Sequence, residues 1–215
     1  MTLASTRPWM AAALLLLASC SSRDPGRQDS KPADDRHEQA ASSPGSGSEI
    51  AAAAAPSDIA LSERHADARF GFELSFPSGW TAGEGEMPAF FVASPREGEA
   101  DEFVENVNVV VEPLTEPMSA NAYADGSEAL IAADLGAYQL IARSEVELGD
   151  RPAVRREYEH VYLGRPLWVV SYLLVVDRRG YVITATAERE HAELWRARLE
   201  AIASSFRITS AASAG

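Results

Sequence analysis

The side chains of this 215-residue sequence that could do chemistry are few and widely spaced. The single cysteine is Cys20, so the chain can form no internal disulfide. No two of the four histidines have the spacing of a zinc site; they are His37, His65, His160 and His191. The trio Glu188, Glu190 and His191 could hold a metal ion, but a solvated, acidic helix start is the interpretation we favour, because the helix dipole stabilises it.

Sequence motifs of the common enzyme classes are missing as well. The chain has no G-x-S-x-G elbow, no Walker loop and no G-x-G-x-x-G segment. We therefore expect a non-enzymatic protein with no catalytic residue, no cofactor and no metal site; an active site dispersed along the chain is the alternative.

Cys20 stands at the end of a short apolar run, and this position gives it a different chemistry. The run over residues 9–17 follows one basic residue, Arg7, and is too short to span a hydrocarbon layer of about 30 Å. A basic start, a short apolar core and small residues before the cysteine predict a secretory signal peptide over residues 1–19. A buried core helix is the alternative, but the polar residues after Cys20 do not suit it.

The segment Leu17-Ala18-Ser19-Cys20 resembles the lipobox of bacterial lipoproteins. The resemblance implies that the Cys20 thiol is alkylated, that acyl chains such as palmitate are attached, and that the membrane is a partner through this lipid. Several acyl chains would anchor the protein stably. Ser21 implies the periplasmic face of the outer membrane if the source is Gram-negative. We expect an extracytoplasmic protein of the cell envelope, or of the periplasm.

Residues 20–66 have the composition of a disordered linker behind the lipidated cysteine. They are rich in Ser, Ala, Pro and Gly and have almost no large apolar side chains, so they cannot bury enough surface to offset their ordering entropy. About forty such residues would average ~35 Å end to end and reach ~135 Å when fully stretched.

The charge of the chain is −13 and is unevenly distributed. Residues 71–118 contain ten acidic residues and a single basic one, Arg96. This balance argues against nucleic acid as a partner and against adsorption on anionic lipid. The acidic region 84–116 could face a basic partner or divalent cations, but a solubilising surface is the interpretation we favour.

Alternating apolar and polar residues begin near Asp67 and predict a single folded domain over residues 67–210. The predicted strands cover residues 69–76, 89–93, 103–112, 138–148, 153–162, 167–176 and 181–187, and the predicted helices cover 119–135 and 190–204. Short turns between the last four strands indicate an antiparallel meander. The apolar run 168–176 predicts a central strand covered on both faces. Asn106 and Asn108 share one strand face, which suggests either a binding site or, as we favour, bonds to loops or water.

The order of elements is similar to the PsbP-like fold, which is shared by PsbP, DcrB and LpqN-type lipoproteins. The segments that carry the resemblance are Phe72-x-Leu74-x-Phe76-Pro77-x-Gly79-Trp80, Asn106-Val107-Asn108-Val109, Tyr181-Val182-Ile183-Thr184 and Ser205-Phe206. The resemblance implies an α+β fold in which an antiparallel sheet of about six to seven strands is sandwiched by helices. It transfers no functional residue except the lipidated Cys20.

Three functions follow as hypotheses. The first is a lipid-anchored accessory or assembly domain that acts through contacts with an envelope protein. The second is a binding module for a hydrophobic or glycolipid ligand, which requires an apolar pocket between sheet and helix. The third is a divalent-cation-binding protein or a hydrolase that uses the acidic half of the domain.

Overall fold

The computed structural model describes residues 59–209. The predicted signal peptide 1–19, Cys20 and most of the predicted linker lie outside the described residues. The elements in chain order are β1 (Glu63–Asp67), β2 (Phe72–Phe76), β3 (Thr81–Glu84), β4 (Phe90–Ala93), β5 (Asn106–Pro113), α1 (Ala120–Asp134), β6 (Gly136–Leu148), β7 (Arg151–Tyr162), β8 (Arg165–Val176), β9 (Arg179–Glu188), a 3₁₀ turn (Arg189–His191), α2 (Ala192–Ser204) and β10 (Arg207–Ile208).

Seven strands form the main sheet in the order β3-β4-β5-β9-β8-β7-β6, and every neighbouring pair is antiparallel. The predicted meander from β6 to β9 is confirmed. Strand β8 lies near the middle of this sheet, and its residues 167–174 are all buried, which confirms that it is covered on both faces. The α+β class and the sheet flanked by helices are likewise confirmed.

A second, small sheet has the order β1-β2-β10 and was not expected. Strand β1 starts at Glu63, inside the range 20–66 that the sequence assigns to the linker, so the first strand lies partly before the predicted domain start. Strand β2 is shorter than the predicted strand 69–76, because Gly71 has a positive φ of 69° and turns the chain just before it.

The two faces of the main sheet are covered differently. On one face, α2 and the small sheet pack over the largest hydrophobic cluster, which includes Phe72, Trp168, Trp195, Leu199 and Phe206. On the other face, α1 packs over two smaller clusters, one around Tyr123 and Leu173 and one around Ile131 and Tyr158.

The helices bury most but not all of their apolar side chains. The buried residues of α1 are Tyr123, Ala124, Ser127 and Ile131, and those of α2 are Ala192, Trp195, Leu199, Ile202 and Ala203. Leu130 of α1 and Leu194 of α2 are each 38% exposed. Each helix therefore contacts the sheet along a narrower stripe than its apolar residues suggest.

A buried carboxylate fixes α2 on the sheet. Glu157 of β7 accepts hydrogen bonds from the Trp168 indole at 2.9 Å, from Arg155 at 3.0 Å and from Arg196 of α2. Burial would raise the pKa of Glu157, but these bonds outweigh it and lower the pKa to about 2. Glu157 therefore remains charged at neutral pH and acts as a structural residue.

Among residues 59–209, neither helix is both long enough and apolar enough to cross a bilayer.

Candidate functional site

An acidic pocket of about 290 Å³ lies at the end of the main sheet where β8 begins and β9 ends. Six carboxylates line it together with one arginine and one histidine. The lining residues are Glu97, Ala100, Asp101, Glu102, Glu105, Arg165, Glu188, Glu190 and His191. The structure thus brings the acidic loop before β5 next to the trio that follows β9, although about 85 residues separate them in the sequence.

The acidic loop is folded around Asp101. Its carboxylate accepts hydrogen bonds from the backbone N–H of Glu97 at 2.9 Å and of Phe103 at 3.1 Å. The Arg96 guanidinium donates to the Asp101 carbonyl oxygen at 2.9 Å. These local bonds hold the loop in a compact turn and leave the other carboxylates free to face the pocket.

Arg165 links the loop to the sheet. As the first residue of β8, it forms an ion pair with Glu188 at the end of β9 and a second ion pair, at 3.2 Å, with Glu102 of the loop. The hydrogen bond to Glu188 is the main cause that raises the pKa of the guanidinium. Arg165 therefore remains charged and neutralises part of the negative pocket.

Glu105 is the deepest carboxylate of the pocket and is only 3% exposed. One of its oxygens accepts a hydrogen bond of 3.3 Å from the Ser94 hydroxyl. Burial raises the pKa of Glu105 to about 7, with smaller contributions from the nearby charges of Asp101 and Glu97. Glu105 can therefore bind or release a proton near neutral pH, or be neutralised by a bound positive group.

Glu188, Glu190 and His191 can each direct a ligand atom to a common point, because these atoms lie within 4.8 Å of one another. Glu188 is already engaged by Arg165, and His191 Nδ1 lies 3.6 Å from a Glu188 oxygen. The geometry permits a cation at this place, with Glu190 and His191 as the more available ligands.

The other residues singled out from the sequence lie away from the pocket. His160 is buried on β7, burial lowers its pKa, and its ring nitrogens have no partner within the described range. His65 stacks on the Phe90 ring with centroids 4.0 Å apart. Asn106 and Asn108 are buried, so neither faces water, but the Asn106 amide donates a hydrogen bond of 3.1 Å to the Val104 carbonyl oxygen of the preceding loop, as the favoured interpretation expects.

Sequence reasoning identified both halves of the pocket but missed their proximity and the burial of Glu105. The β8–β9 register places Leu167 opposite Glu188, which positions Arg165 near the end of β9. The one signal available in the sequence was the short β8–β9 connection, which fixes this antiparallel register.

Comparison with known proteins supports the fold. The DcrB family model matches residues 96–205, which include the whole acidic pocket. The solution structure of cyanobacterial PsbP (CyanoP) from Synechocystis sp. PCC 6803 is 13% identical, has a TM-score of 0.52, and the match covers 68% of this chain and 91% of that chain.

The crystal structure of LpqN from Mycobacterium tuberculosis is 14% identical with a TM-score of 0.53, and the match covers 64% of this chain and 83% of that chain. These likenesses confirm the PsbP-like fold. A comparison with curated protein sequences finds no match.

Proposed function

We propose, because this chain belongs to the DcrB family, that it is a non-enzymatic accessory protein of the cell envelope. In this proposal, a lipid on Cys20 holds it at a membrane, and the folded domain acts through contacts with an envelope protein. LpqN, which shares the fold, is described as involved in cell envelope biogenesis. The lipobox-like segment before Cys20 supports the anchor.

The observation that carries the proposal is the acidic pocket. Six carboxylates surround a single arginine there, and Glu105 is buried with one hydrogen bond from Ser94. A lysine or arginine of a partner would gain charge-assisted hydrogen bonds in such a pocket. We therefore expect the partner to present a basic segment.

The contact is tested by capture of envelope proteins with the full tagged chain. The variant Glu102→Gln/Glu190→Gln removes two charges from exposed pocket side chains, which are 81% and 78% exposed. The control Asp150→Asn/Glu193→Gln removes two charges outside the pocket, from side chains that are 80% and 90% exposed. We expect wild type and control to capture the same partner in equal amounts. The pocket variant should capture about fivefold less of it, since each charged contact is worth roughly 1 kcal/mol. Equal recovery by all three proteins would contradict the proposal.

The anchor has its own test. In Cys20→Ala the chain lacks the thiol that would be acylated, so we expect it to move from the membrane fraction to the soluble fraction. Mass spectrometry of the N-terminal peptide of wild type should show a diacylated or triacylated cysteine. An unmodified Cys20 in the membrane-bound wild type would reject the anchor while leaving the pocket proposal intact.

The second hypothesis, a hydrophobic or glycolipid ligand, requires an apolar pocket between the sheet and a helix. The cavity under α1 has a volume of only about 20 Å³ and includes Asn108, Ser127, Arg156 and Ser171 in its lining. A space of this size holds roughly one water molecule, so it offers no support for an acyl-chain ligand.

Divalent-cation binding is a second candidate function, favoured by the 4.8 Å grouping of Glu188, Glu190 and His191. Calorimetric titration with calcium, manganese and zinc tests it. If the trio binds a cation, Glu190→Gln should abolish the heat that wild type gives, and Glu193→Gln should not. Absence of heat with all three metals would remove this candidate.

A further inference from the structure

Four buried polar side chains form one continuous row across the face of the main sheet that α1 covers. Asn108 of β5 is opposite Thr184 of β9, Thr184 is opposite Ser171 of β8, and Ser171 is opposite Arg156 of β7. Their exposed fractions are 4%, 4%, 1% and 0% in that order. The row is therefore a polar strip in the interior.

The polar row separates the two hydrophobic clusters under α1. Val110, Val182, Leu173 and Val154 occupy the next positions on one side, and Val169 and Tyr158 occupy those on the other. An apolar row would join both clusters into a single core without burying polar groups. Packing of α1 alone does not account for the polar row.

Two members of the row have unused hydrogen-bonding atoms at the same cavity. Arg156 donates to the Ala124 carbonyl oxygen at 3.3 Å and to the Ser127 hydroxyl at 3.0 Å, both in α1. Its Nε–H and the Ser171 hydroxyl have no partner within residues 59–209. Both side chains line the cavity of about 20 Å³. Buried groups of this kind are normally satisfied, so these two donors are a binding site for a small acceptor.

Arg156 also forms no ion pair with a carboxylate in the described part of the chain. Glu128 of α1, whose charge raises the pKa of Arg156 from farther away, is 3.4 Å from Arg143 instead. Glu112 lines the same cavity with a buried oxygen that has no partner among the described residues, and burial raises the pKa of its carboxyl group. The remaining titratable neighbours, Tyr138 and Tyr158, are neutral because burial raises the pKa of each. A guanidinium remains protonated even where burial lowers its pKa.

We propose that this cavity binds one small inorganic anion, of the size of chloride, between Arg156 Nε and the Ser171 hydroxyl. A space of about 20 Å³ admits a single water-sized species. Water would accept hydrogen bonds from the two donors but would leave the buried positive charge unbalanced. A halide accepts from both donors and also balances the charge. The site lies on the opposite face of the sheet from α2, is separate from the acidic pocket, and does not depend on the proposed function.

The test is thermal unfolding of the full chain in sodium chloride, sodium bromide and sodium acetate at equal ionic strength. We expect chloride and bromide to raise the Tm by several degrees, because they bind only the folded state. The increase should level off as the halide concentration fills the site. Acetate is too large for the cavity and should have no such effect. A shift with acetate alone, or no saturable shift with either halide, would overturn the proposal.

Variants make the test specific to the cavity. Ser171→Val fills the cavity and removes the hydroxyl. Arg156→Met removes the charge and keeps a side chain of similar volume. In both variants chloride and bromide should no longer raise the Tm. Arg151→Met is the matched control on the same strand, since Arg151 is 46% exposed, and it should keep the effect. If Arg156→Met does not fold, Ser171→Val decides: retention of the halide effect in it would overturn the proposal.

Crystals soaked in bromide give an independent readout. An anomalous peak within hydrogen-bond distance of Arg156 Nε and the Ser171 hydroxyl is the expected result. An ordered water there, with no anomalous signal, would overturn the proposal.

Discussion

At the scale of single residues, Glu105 shows how position changes the chemistry of an ordinary side chain. The acidic loop contains several carboxylates of the same type, but only Glu105 is buried, and its pKa is raised from 4.5 to about 7. The folded state therefore holds a proton on Glu105 over a pH range in which the unfolded chain has lost it. The stability of the domain must depend on pH through this residue.

Replacement of Glu105 by glutamine should reveal this dependence. Between pH 4.5 and pH 7 the folded state binds more protons at Glu105 than the unfolded state, so its contribution to the free energy of unfolding falls as pH rises. We expect Glu105→Gln to match wild type near pH 4 and to exceed it by about 1–2 kcal/mol at pH 8, a value reduced for solvent screening in the open pocket. Urea unfolding at several pH values measures this difference.

Glu99→Gln is the control, because Glu99 lies in the same loop and is exposed. Its free energy of unfolding should follow that of wild type at every pH. A Glu105→Gln variant that is less stable than wild type at pH 8 would show that the carboxylate makes a favourable native contact in its charged form.

At the scale of elements, the approach of α1 to the sheet depends on a glycine. A Cβ atom added at Gly180, near the start of β9, would lie 2.4 Å from Tyr123 Cζ in α1. No residue larger than glycine fits there while Tyr123 keeps its place. Since the polar cavity lies under the same helix, this contact also sets how tightly α1 closes over it.

Gly180→Ala should therefore destabilise the domain by about 1–3 kcal/mol, because the tyrosine ring must move within a packed interface. In Tyr123→Leu the ring is absent, so adding Gly180→Ala to it should have a much smaller effect. The free energies of unfolding of the four proteins form a double-mutant cycle that measures the coupling.

Gly126→Ala provides the contrast, because nothing lies within 4 Å of a Cβ at this position in α1. Alanine is the better helix former, so we expect this variant to be more stable than wild type by up to about 1 kcal/mol. If alanine changed the free energy of unfolding equally at Gly126 and Gly180, the contact of Gly180 with Tyr123 would have no influence on stability.

The elements that the sequence predicted are those with strong apolar patterns. Strand β8 and strand β9 are buried almost throughout, and both helices have an apolar stripe, so each was identified within a few residues. Strands β1 and β3 were missed because they are largely exposed and have few apolar side chains. Strand β10 contains only two residues, too few for any alternation.

The two sites were less predictable than the fold for a related reason. The acidic loop and the trio around His191 were both visible in the sequence, but their meeting depends on the pairing of β5, β8 and β9. The polar row was visible only as isolated residues, because Arg156, Ser171 and Thr184 come from different strands. Only strand register makes them neighbours.

At the scale of the whole molecule, the two ends of the described chain meet in the small sheet. Strand β2 pairs with β1 on one side and with β10 on the other. The Ser205 hydroxyl accepts from the Ser75 backbone N–H at 2.8 Å, and Phe206 stacks on Phe72 with centroids 5.4 Å apart. The last described residues thus complete the core that the first strands begin.

Phe206→Ala should accordingly destabilise the domain strongly, although Phe206 lies only a few positions from the last described residue. Phe206 is fully buried, so we expect a loss of about 3–5 kcal/mol in the free energy of unfolding. Leu163→Ala is the control, since Leu163 is 81% exposed in a turn, and it should change stability by less than about 0.5 kcal/mol. Comparable losses in the two variants would contradict the role assigned to Phe206.

The pairing of β2 with β10 also has a consequence for the timing of folding. Strand β2 is synthesised long before its partner at residues 207–208. The small sheet and the core beneath it therefore cannot close until residue 208 has left the ribosome. While the main sheet is being synthesised, the apolar face of β2 has no β10 to pair with and stays accessible.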